Sequence, residues 1–354
     1  MRAYFKFLTG LCKAKILRSK MPLIAILCVT NKCNLKCWYC YGEHPYRGDC
    51  PDFTKEEWRD IITGLCSMGA RIIQLQGGEP LLRRDLQEII CHIKKLGMLC
   101  DMVTNGVLIP DKIETIKLLD KICISLDGPR EITDKNRGAG VFDKVTAAVK
   151  TVRQLKIPLR ISAMLTNDSR REDIDWLINF AKEQKMFVNF SPFFEFTPRF
   201  SPPRPDGFNI NDAHLRMLFA QIMKHKRNGA PIQFTQKSYD LARHWPLTYG
   251  RRRVFTDETF TKRVYPNCYH GDLIFFIDSD GGVYPCCNFW GKTEWNVKVH
   301  GLKEAIAGVS RRGCKYCYVP AYIDRNLFFN GSPSVWLNYV KQLLGSNVVT
   351  RNKR

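Results

Sequence analysis

Short apolar runs alternate with amphipathic stretches along the first half of the chain. Six runs rich in β-branched residues are each short enough for a buried strand, and they lie at 23–29, 71–76, 99–104, 121–126, 159–165 and 187–191. Stretches with helical apolar spacing separate them, at 55–68, 85–95, 112–119, 142–155 and 171–185. Such alternation predicts parallel strands joined by right-handed crossovers. Six units predict an α/β fold, a partial (β/α)6 barrel of parallel strands rather than a closed barrel of eight.

Each of the first four predicted strands is followed directly by polar residues or glycines. These segments are 33–40, which contains three cysteines, QGGEP at 76–80, TNG at 104–106 and SLDG at 125–128. The carboxyl ends of parallel strands meet at one rim, where α/β folds bind ligands. Taken singly, the three short sequences also fit ordinary turns. Together they predict one binding site at that rim.

Three cysteines, Cys33, Cys37 and Cys40, have C-x3-C-x2-C spacing in the first of these segments. A cubic iron–sulfur cluster usually takes four thiolates, so three leave one iron without a protein ligand. Structural zinc is the alternative, but no nearby Cys or His completes a tetrahedral set in a convincing register. Disulfides are disfavoured, because the 15 cysteines lie mostly within apolar segments and no convincing secretory signal precedes them. We therefore expect a reducing compartment and a cytoplasmic protein.

The cysteine triplet, followed in order by GGEP, TNG and SLDG, resembles the signature of the radical S-adenosylmethionine (SAM) enzymes over roughly residues 20–195. The resemblance implies that Cys33, Cys37 and Cys40 hold a [4Fe-4S] cluster whose open iron is chelated by SAM. It implies reductive cleavage of SAM to a 5′-deoxyadenosyl radical, which abstracts hydrogen from an unactivated carbon. The implied reductant is a one-electron donor such as flavodoxin or ferredoxin.

The same resemblance implies which residues lie near SAM. They are Tyr39, Gly77, Gly78, Glu79, Pro80, Thr104, Asn105, Ser125, Asp127 and Arg137. The glycines allow backbone to approach a ligand closely. The planar guanidinium of Arg137 suits a carboxylate of SAM or a substrate anion, although a loop arginine in a helix cap is an equal alternative. Thr133 stands where a histidine is usual in the subgroup with auxiliary clusters, which leaves that histidine's role open.

A second set of cysteines lies near the end of the chain, at Cys268, Cys286, Cys287, Cys314 and Cys317. An Asp- and Gly-rich turn between apolar residues 273–277 and 283–285 predicts a hairpin that brings Cys286 beside Cys268. Four thiolates, with Cys314 and Cys317 from a C-x2-C loop, are the number that a fully ligated [4Fe-4S] cluster needs.

This second arrangement resembles the shortened twitch form of the SPASM domain, which implies one auxiliary [4Fe-4S] cluster. Zinc stays an alternative here, because C-x2-C loops with two distant cysteines also make structural zinc sites. The choice between Cys286 and Cys287 also stays open, since side chains alternate in an extended segment. We favour Cys286 because it directly follows the predicted strand.

These patterns divide the chain into five segments. They are a basic amphipathic N-terminal helix at 1–20, a radical SAM partial barrel at 21–195, a linker at 196–265, an auxiliary-cluster domain at 266–330, and a C-terminal helix with a basic tail at 331–354.

The charge of the chain is strongly positive and uneven. The formal net charge is +21, and eight Lys or Arg residues precede the first acidic residue, Glu43. Helical spacing places Tyr4, Phe5, Leu8, Leu11, Cys12 and Ile16 near one face. Such a helix either lies on an anionic bilayer or packs against the barrel with its lysines solvated. No apolar run reaches about twenty residues. Nucleic acid is not indicated, because no binding motif accompanies the charge.

We expect an enzyme, but generic motifs do not specify its product or its reaction class, whether oxidoreductase, transferase or isomerase. The basic helix favours a lipid or anionic small molecule as substrate, and peptides modified by SPASM enzymes are the alternative. A protein of another class, a zinc-stabilised basic module that binds nucleic acid or an acidic protein, is the rival. Candidate catalytic residues are Tyr284, Cys287 and the loop from Phe193 to Phe208.

Overall fold

The structure is a computed structural model of the 354-residue chain. It describes residues 2–17, 20–40, 51–193, 211–249, 253–254, 265–290, 293–311 and 313–350. The candidate loop after Phe193 lies outside the described residues, as do 196–210, 250–252 and 255–264 of the predicted linker at 196–265.

Six parallel strands form the main sheet, in the order in which they occur along the chain. They are β1 (Ile24–Cys28), β2 (Ile72–Gln76), β3 (Leu99–Thr104), β4 (Lys121–Ser125), β5 (Leu159–Leu165) and β6 (Phe187–Pro192). Each lies within a residue or two of a predicted apolar run. The predicted α/β fold, with a partial barrel of parallel strands, is confirmed.

Thirteen helices are assigned among the described residues. They are α1 (Arg2–Leu17), α2 (Lys55–Ser67), α3 (Leu86–Lys95), α4 (Ile113–Ile116), α5 (Arg130–Arg137), α6 (Val141–Gln154), α7 (Arg171–Glu183), α8 (Asp212–Arg227), α9 (Gln236–Arg243), α10 (Val297–His300), α11 (Leu302–Gly308), α12 (Pro320–Phe329) and α13 (Pro333–Thr350). Local sequence explains where several of these helices begin or end. Thr54 and Glu57, for example, form a capping box at the start of α2.

One predicted helix is wrong in its extent. In place of one helix over 112–119, the structure has a 3-10 turn, Ile109–Lys112, followed by the single turn of α4. The chain leaves helical geometry after Lys117 because it must enter β4 at Lys121. Helix α5, by contrast, was not predicted. The Asp134 carboxylate accepts hydrogen bonds from the backbone N–H groups of Gly140 and Phe142 and so joins α5 to α6.

The strands of the main sheet present two different faces. In β3 and β5, alternate residues such as Cys100, Met102 and Ile161 are fully buried in the core between sheet and helices. The residues between them, including Asp101 and Arg160, are partly exposed and point to the interior of the partial barrel. On β3 to β5 this face therefore carries polar and charged residues, whereas on β1 and β8 the same face is apolar, with Ile26 and Phe276 in a buried cluster.

The predicted C-terminal hairpin extends the barrel sheet. Strand β8 (Ile274–Ile277) pairs in parallel with β1, and β9 (Val283–Tyr284) pairs antiparallel with β8. Two short strands, β7 (Arg253–Val254) and β10 (Tyr316–Cys317), form a separate antiparallel pair. Because β8 pairs with β1, it satisfies the backbone groups on that edge of β1, and it is buried at every position. The cysteine-rich segment thus shares its sheet with the barrel, and the boundary at 266 stays a prediction.

Helix α1 packs on the protein by one face only. Phe7, Leu11 and Ala14 are buried, and the Phe7 ring lies 6.3 Å from that of Phe328. Of the predicted apolar face, Leu11 is buried, whereas Phe5, Leu8, Cys12 and Ile16 are exposed. The helix thus packs against the protein by one face and presents apolar side chains to solvent on the other, and its contact with a bilayer stays a prediction. None of the described helices is both long and apolar enough to cross a membrane.

Candidate active site

The three cysteines of the first set lie in the loop that follows β1. Cys33 is exposed and the other two are partly buried. Burial raises the pKa of the Cys37 thiol to about 11; the positive charge of Arg137 opposes this rise, and the Cys40 and Cys33 thiols add to it. The three thiols are therefore close enough to influence one another. Because metal binding requires thiolates, loading this loop must release protons.

The GGEP segment packs directly against this loop. The backbone N–H of Gly78 donates to the carbonyl of Thr30, and that of Glu79 donates to the carbonyl of Lys32, both at 2.8 Å. A Cβ atom on Gly77 would lie 2.3 Å from the Thr30 oxygen, and one on Gly78 would lie 2.2 Å from the Lys32 oxygen. The expected reason for these glycines was approach to a ligand. The contact they permit here is the approach of the β1 loop.

Glu79 joins the GGEP segment to the TNG segment. Its carboxylate is fully buried and accepts hydrogen bonds from Thr104 Oγ1 at 2.7 Å and from the backbone N–H of Asn105 at 2.8 Å. Burial raises the pKa of Glu79 to about 7, although these hydrogen bonds oppose the rise. The side chain of Asn105 then donates to Asn34 Oδ1, in the cysteine loop, at 2.8 Å. These groups, expected near SAM, bind one another across the rim. Pro80, the last expected residue of this segment, is buried at the start of a 3-10 turn.

Asp127 joins the SLDG segment to the cysteine loop. The Tyr39 hydroxyl donates to its Oδ2 at 2.6 Å, and Arg137 donates to both oxygens, at 3.0 Å from Nε and 2.8 Å from Nη2. The backbone N–H of Met164 donates to Oδ1 at 3.0 Å. Arg137 was expected to offer its planar fork to a ligand anion. In the structure two of its three nitrogens are bound to Asp127, and the side chain is buried.

Two further residues of the rim have distinct positions. Thr133 is buried and donates to the carbonyl of Gly128 at 2.7 Å, so it secures the turn into α5. Ser125, at the end of β4, is partly exposed on the interior side of the barrel. Of the side chains expected near SAM, Ser125 is therefore placed to face a ligand, whereas Glu79, Thr104 and Asp127 are turned toward other protein groups.

Sequence reasoning missed several residues that hold the cysteine loop. Trp38 Nε1 donates to Asn136 Oδ1 at 2.8 Å, and the amide of Asn136 donates to Asp127 at 3.2 Å. The aromatic pair before Cys40 was the available signal, since a buried indole N–H needs an acceptor. Its partner on α5, about a hundred residues away, had no sequence signature.

The second set of cysteines gathers beside the β8–β9 hairpin. Burial raises the pKa of the Cys286 thiol well above its usual range, and the Cys287, Cys268, Cys314 and Cys317 thiols each raise it further. Five thiols thus lie within electrostatic reach, in apolar surroundings where uncompensated thiolates are unstable. Soft sulfur donors in such number suit an iron–sulfur cluster or zinc.

The two candidate catalytic residues of this region, Tyr284 and Cys287, are packed among other protein groups. Tyr284 is buried and its ring stacks on that of Trp290, with centroids 4.9 Å apart. Cys287 is buried and its sulfur lies 2.8 Å from the hydroxyl of Tyr322, on α12. Tyr284 therefore has the environment of a core residue, and Cys287 forms a polar contact beside the other four cysteines.

Among the described residues, no three His, Cys, Asp or Glu side chains converge closely enough to bind a single metal ion. A cubic cluster does not require such convergence, because each thiolate binds a different iron atom. Both cysteine sets are compatible with clusters in this respect.

A family model matches the partial barrel and indicates a class of enzyme. Residues 27–181, which are less than half of the chain, match the family model described as the radical SAM superfamily. Enzymes of this family use a [4Fe-4S] cluster together with SAM.

Comparisons with individual proteins agree with that class. Fe-coproporphyrin III synthase of Methanosarcina barkeri is 32% identical over 176 residues, which are 48% of this chain and 43% of that protein. AdoMet-dependent heme synthase of the same organism is 29% identical over 268 residues, 73% of this chain and 74% of that protein. The chain spans about half the length of the first curated relatives that it matches.

The crystal structure of Streptococcus suis SuiB bound to the precursor peptide SuiA has a similar fold. The TM-score is 0.65 with 20% sequence identity, and the match covers 86% of this chain and 69% of SuiB. At this level of identity the likeness concerns the fold alone.

Proposed function

We propose that this protein is a radical SAM enzyme that abstracts hydrogen from an unactivated carbon of a lipid or anionic small molecule. The observation that supports it most directly is the fixed position of the Cys33–Cys40 loop. Glu79 links the ends of β2 and β3 through its carboxylate and bonds the loop through its backbone N–H to Lys32. Asp127, after β4, accepts the 2.6 Å hydrogen bond from Tyr39 in the loop. When bound there, a [4Fe-4S] cluster and SAM supply the radical chemistry.

The roles of the protein groups follow from this arrangement. Cys33, Cys37 and Cys40 hold the cluster, and the partly exposed backbone at Gly77 and Gly78 lies next to them for contact with SAM. Glu79, Asp127 and Arg137 are positioning residues, because their polar atoms are bound to other protein groups. Cys268, Cys286, Cys314 and Cys317 hold the auxiliary cluster.

Helix α1 is the reason for preferring a lipid as the substrate. At 100° per residue, its exposed Phe5, Leu8, Cys12 and Ile16 lie opposite the buried face, and Lys6, Lys13 and Lys15 flank this stripe. An apolar stripe with lysines on both sides fits the surface of an anionic membrane. Peptide modification is the alternative substrate class.

Anaerobic reconstitution tests the proposal. We expect a brown protein with about eight irons, if both clusters form, and 5′-deoxyadenosine after reduction in the presence of SAM. Replacing Cys33, Cys37 and Cys40 by alanine should abolish SAM cleavage and leave about four irons. The matched control is Cys91→Ala, a partly buried cysteine on α3 outside both sets. Colourless protein that carries zinc, with no SAM cleavage, would instead support the binding module.

A further inference from the structure

We propose that the interior of the barrel binds an anionic group of the substrate, a carboxylate or a phosphate, through Lys121, Arg160 and Arg325. This inference rests on the proposed function, because it assigns a substrate feature to the same barrel. It concerns a site below the rim, separate from the cysteine loop and the four motifs.

Strand register places two of the cations on the same interior face. Asp101 on β3 is aligned with Lys121 on β4, and Cys123, two residues further along β4, is aligned with Arg160 on β5. Residues two apart on a strand point to the same side, so Lys121 and Cys123 share a face. Lys121 and Arg160 are partly exposed, although they lie in central strands. Both side chains therefore retain some solvent-accessible surface.

The third cation enters from outside the sheet. Arg325 lies on α12 and donates from Nη2 to Gln74 Oε1 on β2 at 3.0 Å. Gln74 is aligned with Asp101 in the neighbouring strand. Helix α12 thus brings a guanidinium group to the same interior surface that carries Lys121 and Arg160.

The cluster is short of negative charge. Asp101 interacts electrostatically with all three cations. Yet within the part of the chain that the structure describes, no carboxylate lies within the 4 Å of an ion pair to Lys121, Arg160 or Arg325. Three cations facing one carboxylate leave an excess of two positive charges in a partly desolvated space. Such charges are costly unless an anion compensates them.

Two of the three cations, Lys121 and Arg325, have the lowered pKa that such an excess predicts. Burial lowers the pKa of Lys121 to about 8, and the neighbouring Arg160 lowers it further, while Asp101 opposes this change. Burial also lowers the pKa of Arg325. Burial acts to lower the pKa of Arg160 as well, but Cys123 and Asp101 oppose it and the pKa is raised. A bound anion would remove part of this penalty, which is a source of binding free energy.

The depth of the cluster constrains the substrate. Lys121 begins β4 and Ser125 ends it at the rim, so the two Cα atoms are separated by roughly 13 Å at 3.3 Å per residue. The long side chains of Lys121 and Arg160 shorten this gap in part. The substrate therefore carries its anionic group several bonds away from the carbon that reacts at the rim.

Calorimetry on the reconstituted enzyme, with SAM added to occupy the open iron, tests the site. The probes are pyrophosphate and tricarballylate, which represent phosphate and carboxylate groups, at moderate salt. We expect at least one probe to bind, and Arg160→Gln and Lys121→Met each to weaken that binding roughly tenfold. The matched control is Lys117→Met, an exposed lysine paired with Glu114 on the outside of the barrel. Which probe binds distinguishes a phosphate from a carboxylate.

A covalent label gives an independent readout. Pyridoxal 5′-phosphate, an anion that condenses with deprotonated amines, should label Lys121 preferentially after borohydride trapping, as mapped by peptide mass spectrometry. The probe that binds should protect Lys121, and Arg325→Gln, or Arg160→Gln if that variant does not fold, should reduce the labelling.

The site is disproved if neither probe binds, or if the interior variants and Lys117→Met bind the probes equally. SAM cleavage, measured on the same samples, separates this outcome from failure of the proposed function. Intact cleavage without anion binding removes only the interior site. Anion binding without cleavage in fully reconstituted protein leaves the site and removes the radical SAM activity.

Discussion

The hydroxyl of Tyr39 donates a 2.6 Å hydrogen bond to Oδ2 of Asp127. Tyr39 lies between two cysteines of the first set, and Asp127 follows the end of β4. Burial raises the pKa of Tyr39 well above its usual range, so its hydroxyl stays protonated and acts as the donor. This bond connects the cysteine loop to the opposite part of the rim. Its strength therefore determines how firmly the loop is held.

Tyr39→Phe should weaken the attachment of the loop without removing its packing. We expect the free energy of unfolding to fall by about 1.5–3 kcal/mol, the usual value of a hydrogen bond to a charged group, and the reconstituted cluster to lose iron faster to a chelator. Denaturant titration and absorbance measure the two effects. Tyr265→Phe is the control, because its hydroxyl bonds to the carbonyl of Leu241 at 2.7 Å. Equal rates of iron loss in the two variants would contradict a role for Tyr39 in holding the loop.

Asp127→Asn should be more damaging than Tyr39→Phe. It leaves the Arg137 guanidinium buried without its counter-charge, a change that typically costs about 3–5 kcal/mol. The double variant Asp127→Asn/Arg137→Gln should recover part of this loss, because the uncompensated charge is gone. Urea denaturation of the parent, of Asp127→Asn, of Arg137→Gln and of the double variant gives the coupling between the two sites. Additive losses would mean that the pair contributes no interaction energy.

The rim could be predicted from sequence because each motif is local. An apolar strand followed directly by QGGEP or SLDG places those residues at a strand end, and parallel strands bring their ends together. The partners of the rim residues were not predictable in this way. Arg137 has the geometry for a ligand carboxylate, but Asp127, ten residues earlier, takes up two of its nitrogens once α5 folds back. A sequence cannot rank an internal carboxylate against an external one.

The barrel interior escaped prediction for a different reason. Asp101, Lys121 and Arg160 occur singly on three strands, and only the register of those strands aligns them. In the sequence each of them is a charged residue near the start of an apolar run, and such a residue is usually interpreted as the boundary of a strand. Arg325 is more than 150 residues further on. The pairing of β8 with β1 could not be predicted either, since a hairpin pattern does not specify which edge of a sheet the hairpin joins.

Gly78→Ala tests the contact between GGEP and the cysteine loop. The new Cβ would lie 2.2 Å from the backbone oxygen of Lys32, so one of the two backbone segments must move. We expect a loss of about 1–3 kcal/mol in unfolding free energy, together with faster iron loss. Gly97→Ala is the control: its Cβ would meet no atom within 4 Å, but its φ of +74° adds backbone strain alone. Iron retention at the control level in Gly78→Ala would show that the contact is dispensable.

Glu79 should make stability depend on pH. A carboxyl group whose pKa is raised to about 7 binds its proton more tightly in the folded protein than in the unfolded chain, where the value is 4.5. The contribution is therefore fully present below pH 4.5 and is lost as the pH rises through about 7, by about 3 kcal/mol for this group.

Cluster-free Glu79→Gln should lack this component, so its free energy of unfolding should change less between those pH values than that of the parent protein. Denaturant titration across the range measures it. Glu131→Gln, which alters an exposed carboxylate, should keep the parent slope. The same slope in Glu79→Gln as in the parent would mean that the pKa of Glu79 is ordinary.

Exposed side chains of α1 should determine binding to anionic vesicles. Phe5 and Ile16 are 70% and 80% exposed, so replacing them by serine removes little packing from the folded protein. Inserting each into a bilayer is worth about 1.5–3 kcal/mol, and each basic residue near an anionic surface adds about 1 kcal/mol. Phe5→Ser/Ile16→Ser should therefore sediment with anionic liposomes at least about tenfold more weakly than the parent.

Substitution is a sharper test than deletion of residues 1–20, because deletion also removes the packing of Phe7 and Leu11 on the core. Phe7→Ala is the matched control: it should lower the melting temperature but keep the exposed stripe and the vesicle binding. Neutral vesicles should bind the parent weakly, since the lysines beside the stripe then have no lipid counter-charge. If the parent binds neither kind of vesicle, or if Phe5→Ser/Ile16→Ser binds as the parent does, α1 is not a membrane surface, and the preference for a lipid substrate loses its support.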